Sequence, residues 1–194
     1  MLQRVGVDAT RSLVKNVPMQ LERPGPVKTL IAANVGLWAI YQFGSGPLRV
    51  RWSKDHMMQS DSGIQSALLY HFFHKDVVSM GFNTAVLATV GTTIARTKGN
   101  SAFLRVAGIG ALTGSVFALS SAYNNQASSA AGGSAISGSL ITYAAFAMPK
   151  ALGAMPFLPF GSWVPAMLAY SLYCGDYSML GGVSAGYLAF LLAL

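Results

Sequence analysis

From Val106 to Tyr123 the chain reads VAGIGALTGSVFALSSAY, without a single charge, and from Val106 on to Leu194 the only charged side chains are Lys150 and Asp176. No water-facing surface can be assembled from that half. A soluble domain carries about a quarter of its residues charged, whereas this chain of 194 residues has 10% charged and 53% hydrophobic residues. Its mean hydropathy is +0.46. A disordered chain needs the opposite balance, low hydrophobicity and high charge. The length suits one domain. The composition predicts an all-α polytopic membrane protein.

A helix needs about 20 mostly apolar residues to cross a bilayer, and six stretches qualify around the opening one. Lys28 to Phe43 holds TLIAANVGLWAIYQF, with Trp38 and Tyr41 suited to an interface. Val77 to Ala95 is uncharged and ends at Arg96 and Lys98. Val106 to Tyr123 is closed by Asn124, Asn125 and Gln126. A fourth span begins among small residues near Gly132 and stops before Pro149. A fifth lies within Ala151 to Gly175, its prolines 156, 159 and 165 placing the helix start near Gly161. The sixth runs from Tyr177 to the C-terminus. Between the first two spans, RVRWSKDHMMQSDSG (49–63) and SALLYHFF (66–73) are too polar to cross and too aromatic for a linker. An interfacial or re-entrant hairpin is expected there.

Six spans put the N-terminal tail, the second-to-third loop, the fourth-to-fifth loop and the C-terminus on one side. Arg4, Arg11, Lys15, Arg23, Lys28, Arg96, Lys98, Arg105 and Lys150 fall there. On the other side Arg49, Arg51, Lys54 and Lys75 are cancelled by Asp55, Asp61, Asp76 and Asp176. The tail side is therefore cytoplasm or mitochondrial matrix. The first residues, MLQRVGVDATRSLVKNVPMQL, carry Arg4, Arg11 and Lys15 against Asp8, with hydroxyls at Thr10 and Ser12. A basic, acid-poor start suits mitochondrial targeting, and an ordinary basic tail is the plainer alternative. The chain divides into a basic tail (1–27), facing the matrix, and a six-span membrane domain (28–194). The net charge of +7 is scattered rather than gathered into a patch with aromatics, so no nucleic-acid partner is expected. Cys174 is the lone cysteine, which excludes an intrachain disulfide and a thiolate metal cage. It reads as a small core residue.

Glycine pairs Gly110/Gly114 and Gly182/Gly186 have the GxxxG spacing that lets helices approach closely in lipid. They suit either packing within the bundle or a docked partner helix. Polar residues inside the spans are more telling, because each costs roughly 1–3 kcal/mol when buried without a partner. His71, His74, Ser79 and Asn83 gather at the start of the second span, and Ser134, Ser137 and Ser139 at the start of the fourth. Both spans begin away from the tail, so the clusters are expected to meet and hydrogen-bond at one depth.

On these residues the chain resembles the rhomboid intramembrane proteases, its mitochondrial branch above all. FFHKDVVSMGFNT (72–84) is similar to their second-span motif, with His74 and Asn83 at the first histidine and the asparagine, and Ser79 where the second histidine belongs. GGSAISGSLITYAAFAMP (132–149) resembles the fourth span with its GxSG motif. Gly132 matches the first glycine, Ser134 the nucleophile, and Ala135 replaces the second glycine. LIAANVGLWAIYQ (30–42) resembles the first span, and VSAGYLAFLL (183–192) the sixth, whose AHxGG-like motif places Gly186 on a glycine and Ser184 on the catalytic histidine. The resemblance covers residues 28 to 194.

What the resemblance implies is a rhomboid-like six-helix bundle whose serine has lost its base. A serine hydroxyl without a base is a poor nucleophile, and no histidine falls in the sixth span. A dyad rescued by His71 or His74 is the competing possibility. The expectation is a pseudoprotease with no catalytic residue among Ser134, Ser184, Ser79, His74 and Asn83, and no cofactor or metal. Inactive relatives imply a packing role. The first expectation is an accessory subunit of a large mitochondrial inner-membrane complex, respiratory or ATP-synthase-like, with membrane subunits and lipids as partners. The second is a client-binding component of a translocase or quality-control complex.

Overall fold

A computed structural model describes residues 25–56, 64–74, 76–124, 134–149, 162–174 and 176–194. Gly132, residues 1–24 of the tail and the side chain of Cys174, on which expectations were placed, lie outside the described residues. Every regular element among the described residues is a helix. Helix α1, Pro26–Phe43, starts with proline in its first turn, where the missing N–H costs nothing. Helix α2 is Gly46–His56 and α3 is Ile64–Leu69, extended by a 3-10 turn, Tyr70–Phe72. The segment expected as a hairpin is thus built from short helices in its described parts.

Helix α4 runs from Val77 to Lys98. Asp76 caps it by accepting from the Ser79 N–H at 2.7 Å, and a π-helical turn, Leu87–Gly91, interrupts it. The hydroxyls of Thr89, Thr93 and Thr97 each lie 2.7–2.8 Å from the carbonyl oxygen four residues back, which satisfies them without water; Thr97 also lies 2.9 Å from the Met148 sulfur. Gly99, at φ +92°, makes the tight turn into α5, Asn100–Tyr123. Helix α6 is Ser134–Ala147, α7 is Trp163–Cys174 and α8 is Tyr177–Leu191. Helices α1, α4, α5, α6, α7 and α8 occupy the six expected stretches. Of these, α4 and α5 are long and apolar enough to cross a membrane, while α6 and α8 are apolar but shorter.

The core is the α5–α6–α8 layer. Every residue from Ala135 to Ala144 is buried, so α6 presents no free face along that run. Glycine makes this possible. A Cβ on Gly182 would sit 2.1 Å from the Ala135 carbonyl oxygen, and one on Gly186 2.4 Å from that of Ser139. A Cβ on Gly110 or Gly114 would meet Ser139 or Ala135 side chains at 2.2 Å. Both GxxxG pairs therefore face into the bundle. The outer surface carries large exposed apolar side chains, among them Val78, Leu112, Val116 and Leu191, as a lipid-facing belt requires.

Candidate functional site

Three polar links join the helices at the end of the bundle where α4, α6 and α8 begin. In the first, the His74 Nε2–H donates to Asn34 Oδ1 of α1 at 2.7 Å, and the Asn34 amide donates to the Leu30 carbonyl at 2.9 Å. In the second, the Ser137 hydroxyl donates to Asn83 Oδ1 at 2.5 Å, tying α6 to α4. In the third, Ser134 and Ser178 hydroxyls lie 2.9 Å apart, and Ser178 donates to Asp176 Oδ1 at 2.6 Å. That last bond uses the only hydroxyl proton of Ser178, so Ser134 donates to Ser178. Asp176 also accepts from the Met179 N–H and caps α8.

His74 is not part of one cluster with Asn83 and the fourth-span serines. It is drawn instead to the amide on α1, 1% exposed and with Nδ1 unpartnered among the described residues. His71 is likewise engaged elsewhere, its Nε2 lying 2.9 Å from the Ala111 carbonyl oxygen. Both imidazoles sit between the first and second spans, and burial pulls each down from 6.5 to about 4, with Asp76 opposing the shift at His74. Neither histidine hydrogen-bonds to Ser134. Ser139 turns to backbone, donating to the Ile136 carbonyl at 2.8 Å.

Ser184 does not face the serines of α6. It is exposed on α8, while Val183, Ala185 and Gly186 are buried. Gly182 and Gly186 both press on α6, and Ser184 lies two residues from each, about 200° round the helix. The α8 residues turned toward Ser134 are Ser178 and Met179. A cavity of about 400 Å³ opens where α4, α6, α7 and α8 converge, lined by Ser79, Asn83, Ser134, Asp176 and Met179 with apolar side chains such as Phe82 and Trp163. Asn83, Ser79 and Ser134 do therefore come together around one space. Asn34, Ser178 and Asp176 were missed from sequence. Asn34 carried a signal, as a lone amide in an apolar span, and so did Asp176, as one of two charges after Val106.

The Rhomboid domain family model matches residues 62–194. No curated protein matches the chain. The matched region takes in the α3 turn with His71 and His74, the serine links of α6 and the glycine-packed α8, and on that match the chain belongs to the rhomboid family.

Proposed function

We propose that this rhomboid is a pseudoprotease, six-spanning with its N-terminus in the matrix, that serves as an accessory subunit of a large mitochondrial inner-membrane complex. The observation that carries the non-catalytic reading is the surroundings of Ser134. Its hydroxyl points to Ser178 and, through it, to Asp176, and among the described residues no imidazole hydrogen-bonds to it. When an AHxGG motif is set on the adjacent Gly181 and Gly182, its histidine falls on Met179, and a thioether accepts no proton at neutral pH. Ser184, the sequence-based choice for that position, is exposed on α8. Without a base the serine is not activated. A serine-directed fluorophosphonate is expected to leave Ser134 unlabelled in detergent and in lipid. Labelling that vanishes in Ser134→Ala would refute the reading.

The accessory role draws on a bundle whose helices are tied to one another by the Asn34–His74, Asn83–Ser137 and Ser134–Ser178 bonds and whose outer face is apolar, and on the basic, acid-poor tail. The cavity favours a second reading. Its apolar lining and opening between α4 and α7 suit a client segment in a translocase or quality-control complex. Crosslinking from Tyr170, which lines the cavity, separates the two: one constant neighbour supports the accessory role, many different chains the client-binding one.

A further inference from the structure

The cavity where α4, α6, α7 and α8 converge is lined by two carboxylates, Asp76 and Asp176, and among the described residues by no lysine, arginine or histidine. Each aspartate caps its helix through Oδ1, Asp76 on α4 and Asp176 on α8. Among the described residues the Oδ2 oxygens accept no hydrogen bond, and neither aspartate forms an ion pair. A helix N-terminus brings about half a positive charge, so the two helix ends offset roughly one of the two negative charges and leave about one uncompensated. A second observation is independent of that charge. Asn83 is 2% exposed and lines the same cavity. Its Oδ1 accepts from Ser137, while its Nδ2–H donors meet no acceptor among the described residues. A buried donor left in that state is costly. The rings of Phe82, Trp163 and Tyr170 stand on the same walls.

We infer that this cavity takes the end of a partner's transmembrane helix that carries a lysine or arginine in its last turn. The cation is held by Asp76 and Asp176, its alkyl stem rests on the aromatic rings, and a terminal carbonyl accepts from the Asn83 amide. Each part of the cavity asks for one part of this occupant. Free carboxylate oxygens call for a cation that donates N–H bonds, which ammonium and guanidinium groups do. Aromatic faces add a cation–π attraction and cover the stem. The last turn of a helix supplies carbonyls without partners of their own, which suits a buried amide donor. A choline headgroup would satisfy the rings but donates no hydrogen bond to the carboxylates. The inference rests on the non-catalytic reading of the site, and it names what the occupant carries whether that occupant is a constant neighbour or a passing client.

The full-length protein is reconstituted in phosphatidylcholine vesicles with synthetic apolar helices of about 20 residues, amidated at the C-terminus and bearing a photoreactive leucine analogue in the last turn. Three peptides differ only in one last-turn residue, Lys, Gln or Glu. The lysine peptide is expected to crosslink roughly tenfold more than the glutamine peptide, and the glutamate peptide least. Asp76→Asn with Asp176→Asn should erase the preference, since asparagine caps a helix as aspartate does but carries no charge. Thermal stability in detergent checks that the variant folds, and the peptide series on the wild type needs no variant at all. Equal crosslinking of the three peptides overturns the inference and leaves the pseudoprotease reading standing, which the fluorophosphonate tests by itself. Failure of all three to crosslink removes the cavity as a docking site and overturns it too. Phosphatidylcholine retained by the wild type but not by the asparagine variant, weighed by native mass spectrometry, would assign the walls to a lipid headgroup and overturn the partner assignment.

Discussion

Asn34 and His74 stand 40 positions apart and meet in a buried bond between α1 and the entry to α4. Removing either one strands the other away from water, at a cost of roughly 1–3 kcal/mol. The net coupling between them is smaller, since interhelical bonds in membranes average about 0.6 and reach about 1.7 kcal/mol. Asn34→Ala and His74→Ala should each lower the melting temperature in detergent, and the double variant should cost less than the sum. Strict additivity would show that the pair does not interact. Ser134→Ala, by contrast, removes a half-exposed hydroxyl and should change stability little. The same histidines carry a pH signature. Their folded values near 4 lie below 6.5, so in between the unfolded chain binds more protons, and stability falls as pH drops from about 6.5 to about 4. Full stability is present above that window. His74→Gln, which keeps a donor for Asn34, should flatten the fall in a melting series across pH; an unchanged slope would place the acid sensitivity elsewhere.

At the scale of the elements, α8 rests on α6 through glycine, and the tolerance of each glycine follows from what a methyl group would meet. Gly182→Ala drives a Cβ into the Ala135 backbone, and Gly186→Ala into that of Ser139; neither backbone is free to yield. Overpacking of this kind costs typically 1–3 kcal/mol. Gly36→Ala and Gly108→Ala enter open space and should be neutral or slightly stabilising. Melting curves of the four variants check the contrast, and a silent Gly182→Ala would contradict the packing. The helices themselves were legible in the sequence, because apolar runs bounded by Lys98, Asn124 or Asp176 leave little choice of where a span starts or stops. Interhelical partners were less so. Nothing local to His74 says that it turns toward Asn34 rather than Asn83, since that depends on how α1 leans on α4. The exposure of Ser184 was legible but unread. Gly182 and Gly186 define one face of α8, and a residue midway between them must point away from it.

At the scale of the whole molecule, helices of different length pack side by side. At 1.5 Å per residue, α5 with its 24 residues is about 36 Å long, while α8 with its 15 is about 22 Å, less than the roughly 30 Å of a hydrocarbon core. If α5 crosses completely, its ends report the topology. In a Cys174→Ser background, a membrane-impermeant maleimide should label Asn124→Cys from outside intact mitoplasts and Asn100→Cys only after the membrane is opened. The reverse pattern would invert the proposed orientation. Assembly makes the larger test. The exposed belt contains aromatic side chains as well as aliphatic ones, with Tyr173 at 91% exposure and Tyr123 at 77%. These lie at the ends of α7 and α5 that share a side with the Ser134 cavity, where a neighbouring subunit would cover both. Native gels of gently solubilised mitochondrial membranes should then show the chain in a megadalton band. Tyr123→Ala with Tyr173→Ala should release it toward the monomer without lowering its own melting temperature, because neither ring is buried in the bundle. A wild-type chain that migrates alone would remove the accessory-subunit reading and leave the cavity to transient clients.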